Sequence, residues 1–324
     1  MKIYAGVTDQ GWFDFLRAQP GIDEVNFWQP SGRSRSISFH QGDLFLFKLH
    51  RNERTKARLD GPDLIGGGGV IASFSVLPIS WAWETFAIKN GAPSYAEMRR
   101  QLVHRRLRRR IPDDPHADFH IGCIILTQPF FLEDADWFPV PDWSASIETY
   151  KSYDSETQAG RHLWDSVQRA WQQTPAFDLM QQAYRVEEER ARYGRETTIQ
   201  PRLGQSAFRV LVADAYKRSC AITEEHTLPA LEAAHIKPYG DSGPHAVYNG
   251  LLLRSDIHRL FDKGYITVTP ELRIEVSRRI RDEFENGRYY YPFDGHKLHH
   301  LPVYPADHPW RELLIWHNEK IFKG

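Results

Sequence analysis

Leu231-Glu-Ala-Ala-His235-Ile-Lys-Pro238 and, a little further on, Tyr248-Asn249-Gly-Leu-Leu-Leu-Arg-Ser-Asp256-Ile-His258-Arg-Leu-Phe-Asp262 are the stretches that decide the architecture. Leu251 to Leu253 is apolar and strand-like, and directly beyond it Ile257, Leu260 and Phe261 recur at helical spacing. The whole reads as a hairpin that runs into a helix, carrying a histidine, an asparagine and a histidine in that order. His258 and Asp262, four residues apart, share the helix face next to the apolar one.

These residues resemble the HNH family, and within it the sub-group in which an Ala-Ala-His-Ile-x-Pro strand, an Asn-Gly-Leu-Leu-Leu strand and a His-x-Leu-Phe-Asp helix form a ββα-metal finger. The resemblance reaches upstream through Pro201-Arg-Leu-Gly-Gln205-Ser-Ala-Phe208-Arg209 to Cys220-Ala-Ile-Thr, and downstream to Trp316-His317, roughly the last third of the chain. It implies an endonuclease that hydrolyses phosphodiester bonds in double-stranded DNA. His235 would be the general base, His258 a metal ligand, and Asn249 the residue that orients the hairpin and His235. Such a reaction needs a base to activate water and a cation to stabilise charge on the phosphate and the leaving oxygen. A neutral imidazole can be that base near neutral pH.

One position departs from the family pattern. Many HNH nucleases carry Asp, Glu or a second His just before the base, as a metal ligand, and here that position is Ala234. Asp262, one turn after His258, is the candidate replacement, because imidazole with carboxylate suits Mg²⁺ or Mn²⁺; Asp256 and Glu232 are weaker substitutes. Against this stand plainer readings: His235 as a hydrogen-bonded structural histidine, Asp262 as a solvated charge paired with Arg259, and Asn249-Gly250 as an ordinary turn signal.

Zinc-braced relatives hold the finger with two Cys-x-x-Cys pairs, whereas this chain has two cysteines, Cys123 and Cys220, far apart. No structural zinc is expected, and no disulfide scaffold, which points to a reducing, cytoplasmic setting. No apolar run has membrane-spanning length and Met1-Lys-Ile-Tyr-Ala-Gly does not read as a leader, so no membrane association is expected.

The length of 324 residues allows two domains with a connector, and ten Trp supply bulk for real cores. A net charge of −1 means that any nucleic-acid surface must be local. The clearest concentration is Arg99-Arg-Gln-Leu-Val-His-Arg-Arg-Leu-Arg-Arg-Arg110, whose helix begins near Pro93 and Ser94. Arg99, Arg100, Arg105, Arg106 and Arg109 could lie along phosphates, which gives affinity without sequence information; the plainer reading is a solvated face packed by Leu102 and Leu107.

Before residue 154 the chain reads as strands: Asp43-Leu-Phe-Leu-Phe-Lys-Leu49, Gly69-Val-Ile-Ala-Ser-Phe-Ser-Val-Leu77 and Ile121-Gly-Cys-Ile-Ile-Leu126, with Gly66 to Gly69 as a tight bend. Asn26-Phe-Trp28-Gln-Pro, Gly42-Asp-Leu-Phe-Leu-Phe-Lys48 and the glycine-led Val-Ile-Ala-Ser-Phe strand resemble the PUA superfamily, whose EVE and SRA relatives read modified bases in DNA. That resemblance implies a β-barrel-like domain with an aromatic pocket for an extruded base. Its candidates are Phe27, Trp28, Trp81, Trp83 and Phe86, with Asn26, Ser36, Ser38 or Asp43 testing the base edge. Trp81-Ala-Trp83 at alternate positions equally reads as half core, half surface.

Residues 155–194 read as a helical connector, with Leu163, Val167, Ala170 and Trp171 at helical spacing and a charged run from Val186. The nuclease domain is placed at 195–324, with Arg202, Gln205 and Arg209 near the DNA backbone by family pattern and Lys237, Arg254 and Arg259 as further phosphate contacts. The expectation is therefore an α+β chain: a PUA/EVE/SRA-like reader over 1–154, the connector, and a ββα-metal nuclease cutting DNA that carries modified cytosine. Because one finger holds one active centre, a homodimer is expected. The alternatives are an HNH nuclease that recognises unmodified sequence or structure, and a reader of modified DNA whose finger no longer cuts, which Ala234 favours.

Overall fold

The long apolar runs of the first half pair into one sheet. In a computed structural model, which describes residues 1–32, 39–50, 63–111, 114, 116–144, 146–147, 149–171 and 203–324, these runs become β1 (Lys2–Thr8), β2 (Glu24–Gln29), β3 (Leu44–Leu49), β4 (Leu64–Pro78), β5 (His120–Phe131), β6 (Phe138–Pro139) and β7 (Tyr150–Asp154). The order is β2-β5-β4-β3-β1-β7, with β6 added beside β4. β1 runs parallel to β3 and the other neighbours are antiparallel. Among the described residues the end strands β2 and β7 do not pair, so the expected barrel is not closed. The chain divides into two compact units, Met1–Ala207 and Phe208–Gly324, and each mixes helix with sheet.

The glycine run is a correction. Gly66 to Gly69 lie inside β4, not in a bend, and none has a positive φ. A Cβ on Gly67 would meet the Phe130 carbonyl oxygen, and one on Gly68 the Phe45 carbonyl oxygen at 2.7 Å. Close approach to the strands on either side, with shifts of register at Gly68/Val70 and Phe47/Lys48, is what these positions need.

Among the described residues four α-helices accompany this sheet: α1 (Gln10–Arg17), α2 (Ile79–Phe86), α3 (Tyr95–Arg108) and α4 (Gln158–Trp171). Ser94 caps α3 by accepting from the Glu97 N–H at 3.2 Å, and Met98 and Leu102 are its buried side. α4 buries Leu163, Val167 and Ala170 as their spacing foretold. The charged run after Val186, Arg202, and Ser36 and Ser38 lie outside the described residues.

Helix α5 (Gln205–Ala215) leads into the second unit, which contains the hairpin β8 (Leu231–His235) and β9 (Gly250–Arg254), helix α6 (Ser255–Asp262), the pair β10 (Ile266–Val268) and β11 (Ile274–Val276), α7 (Arg279–Phe284) and α8 (Arg311–Lys320). Leu251 to Leu253, Ile257 and Phe261 are buried as one core. Buried His317 of α8 stacks on Phe261 at 3.8 Å and bonds the Thr267 hydroxyl at 2.8 Å and the Phe261 carbonyl at 3.2 Å, fixing α8 against α6 and β10. Its polar atoms are satisfied inside, so it is a structural histidine.

Candidate active site

β8 and β9 are antiparallel, with His235 opposite Gly250. A Cβ at Gly250 would lie 2.5 Å from Val212 Cγ2 and 3.1 Å from Phe208 Cζ. Glycine is therefore required because the hairpin rests on α5, and not because of a turn. The loop 236–249 between the strands is closed by Asn249, which is fully buried. Its Oδ1 accepts from the Lys237 N–H, and its Nδ2 donates to the carbonyls of Lys237 and Pro244, each at 2.9 Å. The Asn249 carbonyl accepts from the Ile236 N–H at 2.9 Å. The side chain thus continues the ladder past His235 and sets the direction in which that residue leaves its strand.

Replacing Asn249 with alanine leaves those loop groups without partners, at about 1–3 kcal/mol for each buried group that water cannot reach. A clear fall in the urea midpoint is expected together with loss of nuclease activity. A variant as stable as the wild type would remove the strut role.

His235 lies flat against Phe208, with ring centroids 3.9 Å apart and an interplanar angle of 11°. Its Nε2 contacts His245 Nδ1 at 3.0 Å, and His245 stacks on Tyr239 at 4.6 Å. One of the two facing nitrogens must donate and the other accept. When His235 donates from Nε2, its Nδ1 holds a free lone pair, and among the described residues no side chain or backbone group bonds that atom. Burial, then the neighbouring charges of His245 and His258, lower the His235 pKa from 6.5 to about 4, with Asp262 working the other way. A neutral imidazole with one bare nitrogen follows at physiological pH.

His258 and Asp262 meet as the helical spacing requires, Nε2 to Oδ2 at 3.3 Å. The other ring nitrogen, Nδ1, is held by Glu232 Oε2 at 2.6 Å. Burial opposes a charge on His258, but the hydrogen bond and charge of Asp262, joined by Glu232, outweigh it and raise the pKa. Asp256 is occupied by Arg254 through two contacts of 2.6 and 2.8 Å. Ala234 is buried and supplies no ligand. An imidazole whose second nitrogen is fixed by a carboxylate, beside a half-exposed carboxylate, fits a divalent cation. Among the described residues no three His, Cys, Asp or Glu converge on one point. A cation here would take His258 and Asp262 and complete its shell from water and phosphate, as Mg²⁺ commonly does.

Cys220 is buried and its Sγ accepts from the N–H groups of Thr223 at 3.4 Å and Arg254 at 3.3 Å, tying the approach segment to the end of β9. Lys237 carries its ammonium over the Trp316 ring at 5.5 Å. Gln205 is exposed at the start of α5, and Arg209 is half-buried. Two contributors escaped the sequence reading: His245, which lies in an aperiodic loop four residues before Asn249, and Glu232 as the partner of His258, which depends on how β8 packs on α6.

In the first unit most of the candidate arginines have protein partners. Arg99 donates to the carbonyls of Ala117 and Asp114, both at 3.0 Å, and Arg100 clasps Glu97 at 2.7 and 2.9 Å. Arg105 pairs with Asp9 at 3.1 Å, and Arg106 donates to the Pro30 carbonyl at 2.9 Å and covers Phe119. Arg109 is exposed.

Most of the base-pocket candidates are engaged within the fold of the first unit. Asn26 is buried, with its Nδ2 on Asn90 Oδ1 at 2.9 Å and on Cys123 Sγ at 3.3 Å. Trp28 donates to the Asn90 carbonyl at 2.8 Å. Trp81 and Phe86 are in the core, Trp83 is half-buried near Tyr95, and Asp43 accepts from the Lys2 N–H at 2.8 Å. Phe27 packs edge-on against Trp12 at 5.4 Å.

Comparison with known proteins adds three findings. A family model described as HNH endonuclease matches residues 220–269. No curated protein matches the chain. Among solved structures, one described as a modification dependent TagI restriction endonuclease is similar at 13% identity, covering 99% of this chain and 81% of that one, with a TM-score of 0.32. No helix among the described residues is long and apolar enough to cross a membrane. With the matched segment spanning His235, Asn249, His258 and Asp262, residues 220–269 are an HNH endonuclease domain, and the chain that carries it is a nuclease.

Proposed function

We propose that this protein is a modification-dependent DNA endonuclease, in which the N-terminal unit selects DNA bearing modified cytosine and the HNH domain cuts it. The observation that carries the nuclease half is the pairing of a neutral His235, with Nδ1 bare, and the His258–Asp262 pair on one hairpin and helix. His235 takes the proton of the attacking water at Nδ1 while Nε2 stays on His245. Asn249 holds the segment on which His235 sits, and Glu232 keeps His258 in one orientation. A divalent ion on His258 and Asp262, Mg²⁺ or Mn²⁺ by ligand chemistry, would supply positive charge to the scissile phosphate and the departing oxygen.

Selection of modified DNA is supported by the sequence resemblance of the first unit to readers of modified bases and by its being a separate compact body. One HNH finger holds one such centre, so cutting both strands at a site calls for two copies, as a homodimer or as chains paired on DNA.

The test is cleavage of otherwise identical plasmids carrying cytosine, 5-methylcytosine, 5-hydroxymethylcytosine or glucosylated cytosine, with Mg²⁺ or Mn²⁺, by wild type and by His235→Ala. Cutting confined to modified plasmids and absent from the variant is expected. Equal cutting of all four would leave a nuclease without the modification dependence. Tight binding without any cutting would make the protein a reader with an idle finger.

A further inference from the structure

An open cleft of about 920 Å³ lies within the first unit, between the ends of β1, β2 and β3, the last turn of α3 and the loop that carries Trp143. That volume is in the range that holds a ligand of nucleotide size. Only Trp28 of the expected base-pocket residues lines it.

Its wall contains a buried ion pair. Lys48 Nζ and Asp63 Oδ1 are 2.6 Å apart, and each side chain is only 6% exposed. The other five residues of β3 are Leu or Phe, so Lys48 interrupts an apolar strand. An ion pair removed from water seldom stabilises more than an apolar pair of like volume, and charged groups kept in a cleft against that cost point to a ligand. The ammonium donates and the carboxylate accepts, side by side. Together they answer a ring edge that carries an amino group next to a ring nitrogen or carbonyl oxygen.

Aromatic and cationic groups complete the lining. Lys48 Nζ stands 4.9 Å from the centre of the half-buried Trp143 ring, and the Arg105 guanidinium 4.8 Å from that of Trp28. Of the two acids in the lining, Asp63 faces Lys48 and Asp9 faces Arg105. Arg108 and Arg109, exposed on the same cleft, have no acidic partner among the described residues. Positive charge is therefore in excess at the lip and balanced in the interior, which is the arrangement for a flat polar ring with phosphate attached.

We propose that this cleft binds a nucleotide, with its base against Trp143 and the Lys48–Asp63 pair and its phosphates on Arg108 and Arg109. The inference rests on the reading that the first unit engages DNA, and it places that contact away from Trp81, Trp83, Asn26 and Asp43. The same chemistry would accept a nucleotide within a DNA strand or a free one, and the two are separated by competition.

The experiment uses the full chain with His235→Ala, so that DNA stays intact, and measures fluorescence anisotropy with labelled duplexes that differ only in one central cytosine, unmodified, 5-methyl or 5-hydroxymethyl. Trp143→Ala is expected to weaken binding of the best duplex at least tenfold with an unchanged melting temperature. Arg108→Glu with Arg109→Glu should weaken every duplex, more strongly in dilute salt. Competition by dCMP at millimolar concentration would identify a free nucleotide as the ligand; its failure, with duplex binding still lost in Trp143→Ala, would identify a nucleotide presented by DNA. If the parent favours no duplex yet both variants lose affinity, the cleft stands and the modification dependence falls. Variants that bind within twofold of the parent, or a parent that binds neither duplex nor dCMP, would overturn the proposal.

Discussion

His235→Ala is expected to slow phosphodiester cleavage by about 10²–10⁴-fold, the range that a positioned general base supplies, while the protein stays folded. The side chain is not a strut: it packs one face on Phe208 and makes one side-chain hydrogen bond, to His245. Full activity in this variant, measured under single-turnover conditions with saturating metal, would assign the base to another group. His245→Ala gives a subtler test of the same assignment. It removes the partner that commits Nε2 and a neighbouring titratable ring that helps lower the His235 pKa. The rate should fall with DNA affinity unchanged, the acid limb of the pH–rate profile should move up toward 6.5, and His245→Asn should restore part of the loss. A limb that stays where it is in His245→Ala would show that His235 does not set it.

The same two pKa values bear on stability. His235 and His317 are each lowered to about 4, in both cases chiefly by burial. Between 6.5 and about 4 the unfolded chain takes up protons at these rings while the folded protein keeps both neutral. Their contribution is therefore complete above 6.5 and is lost as pH falls toward 4. Urea midpoints should decline through that window, and a wild-type midpoint that is flat across it would contradict the burial of both rings.

The finger was legible because its periodicities are local. The apolar run at Leu251 and the spacing of Ile257 and Phe261 specify strand and then helix, and four residues of helix bring His258 to Asp262. What was not legible depends on contacts far apart in sequence. His245 reaches His235 only because Asn249 closes an irregular loop, and Glu232 reaches His258 only because β8 lies on α6. In the first unit, four glycines in a row read as a bend, whereas the Phe130 and Phe45 carbonyls on either side demand the absence of a Cβ. Arginine spacing along α3 shows a charged helix and cannot show that Arg99 and Arg106 end on backbone carbonyls. Nor can the sequence show that Asn26 spends its amide on Asn90, or that Lys48 finds Asp63.

Removing the metal pair should produce the other large effect. His258→Ala and Asp262→Ala are each expected to abolish metal-dependent cleavage and to weaken Mn²⁺ binding, followed by calorimetry on the intact protein, by more than the 10–100-fold typical of losing a group that only orients a ligand. Glu232→Gln belongs to that second kind. Its carboxylate touches Nδ1 and not the nitrogen that faces Asp262, so a loss of about 10–100-fold in Mn²⁺ affinity is expected, with cleavage recovered at high metal. The contrast separates the possible replacements for the ligand missing at Ala234. If Asp262→Ala binds Mn²⁺ as the wild type does while Glu232→Gln does not, the carboxylate that meets the ion is Glu232. Asp256 is the weaker choice on physical grounds, since Arg254 already neutralises it through two short contacts and holds its pKa below the usual carboxylate range, and recruiting it would mean breaking that pair.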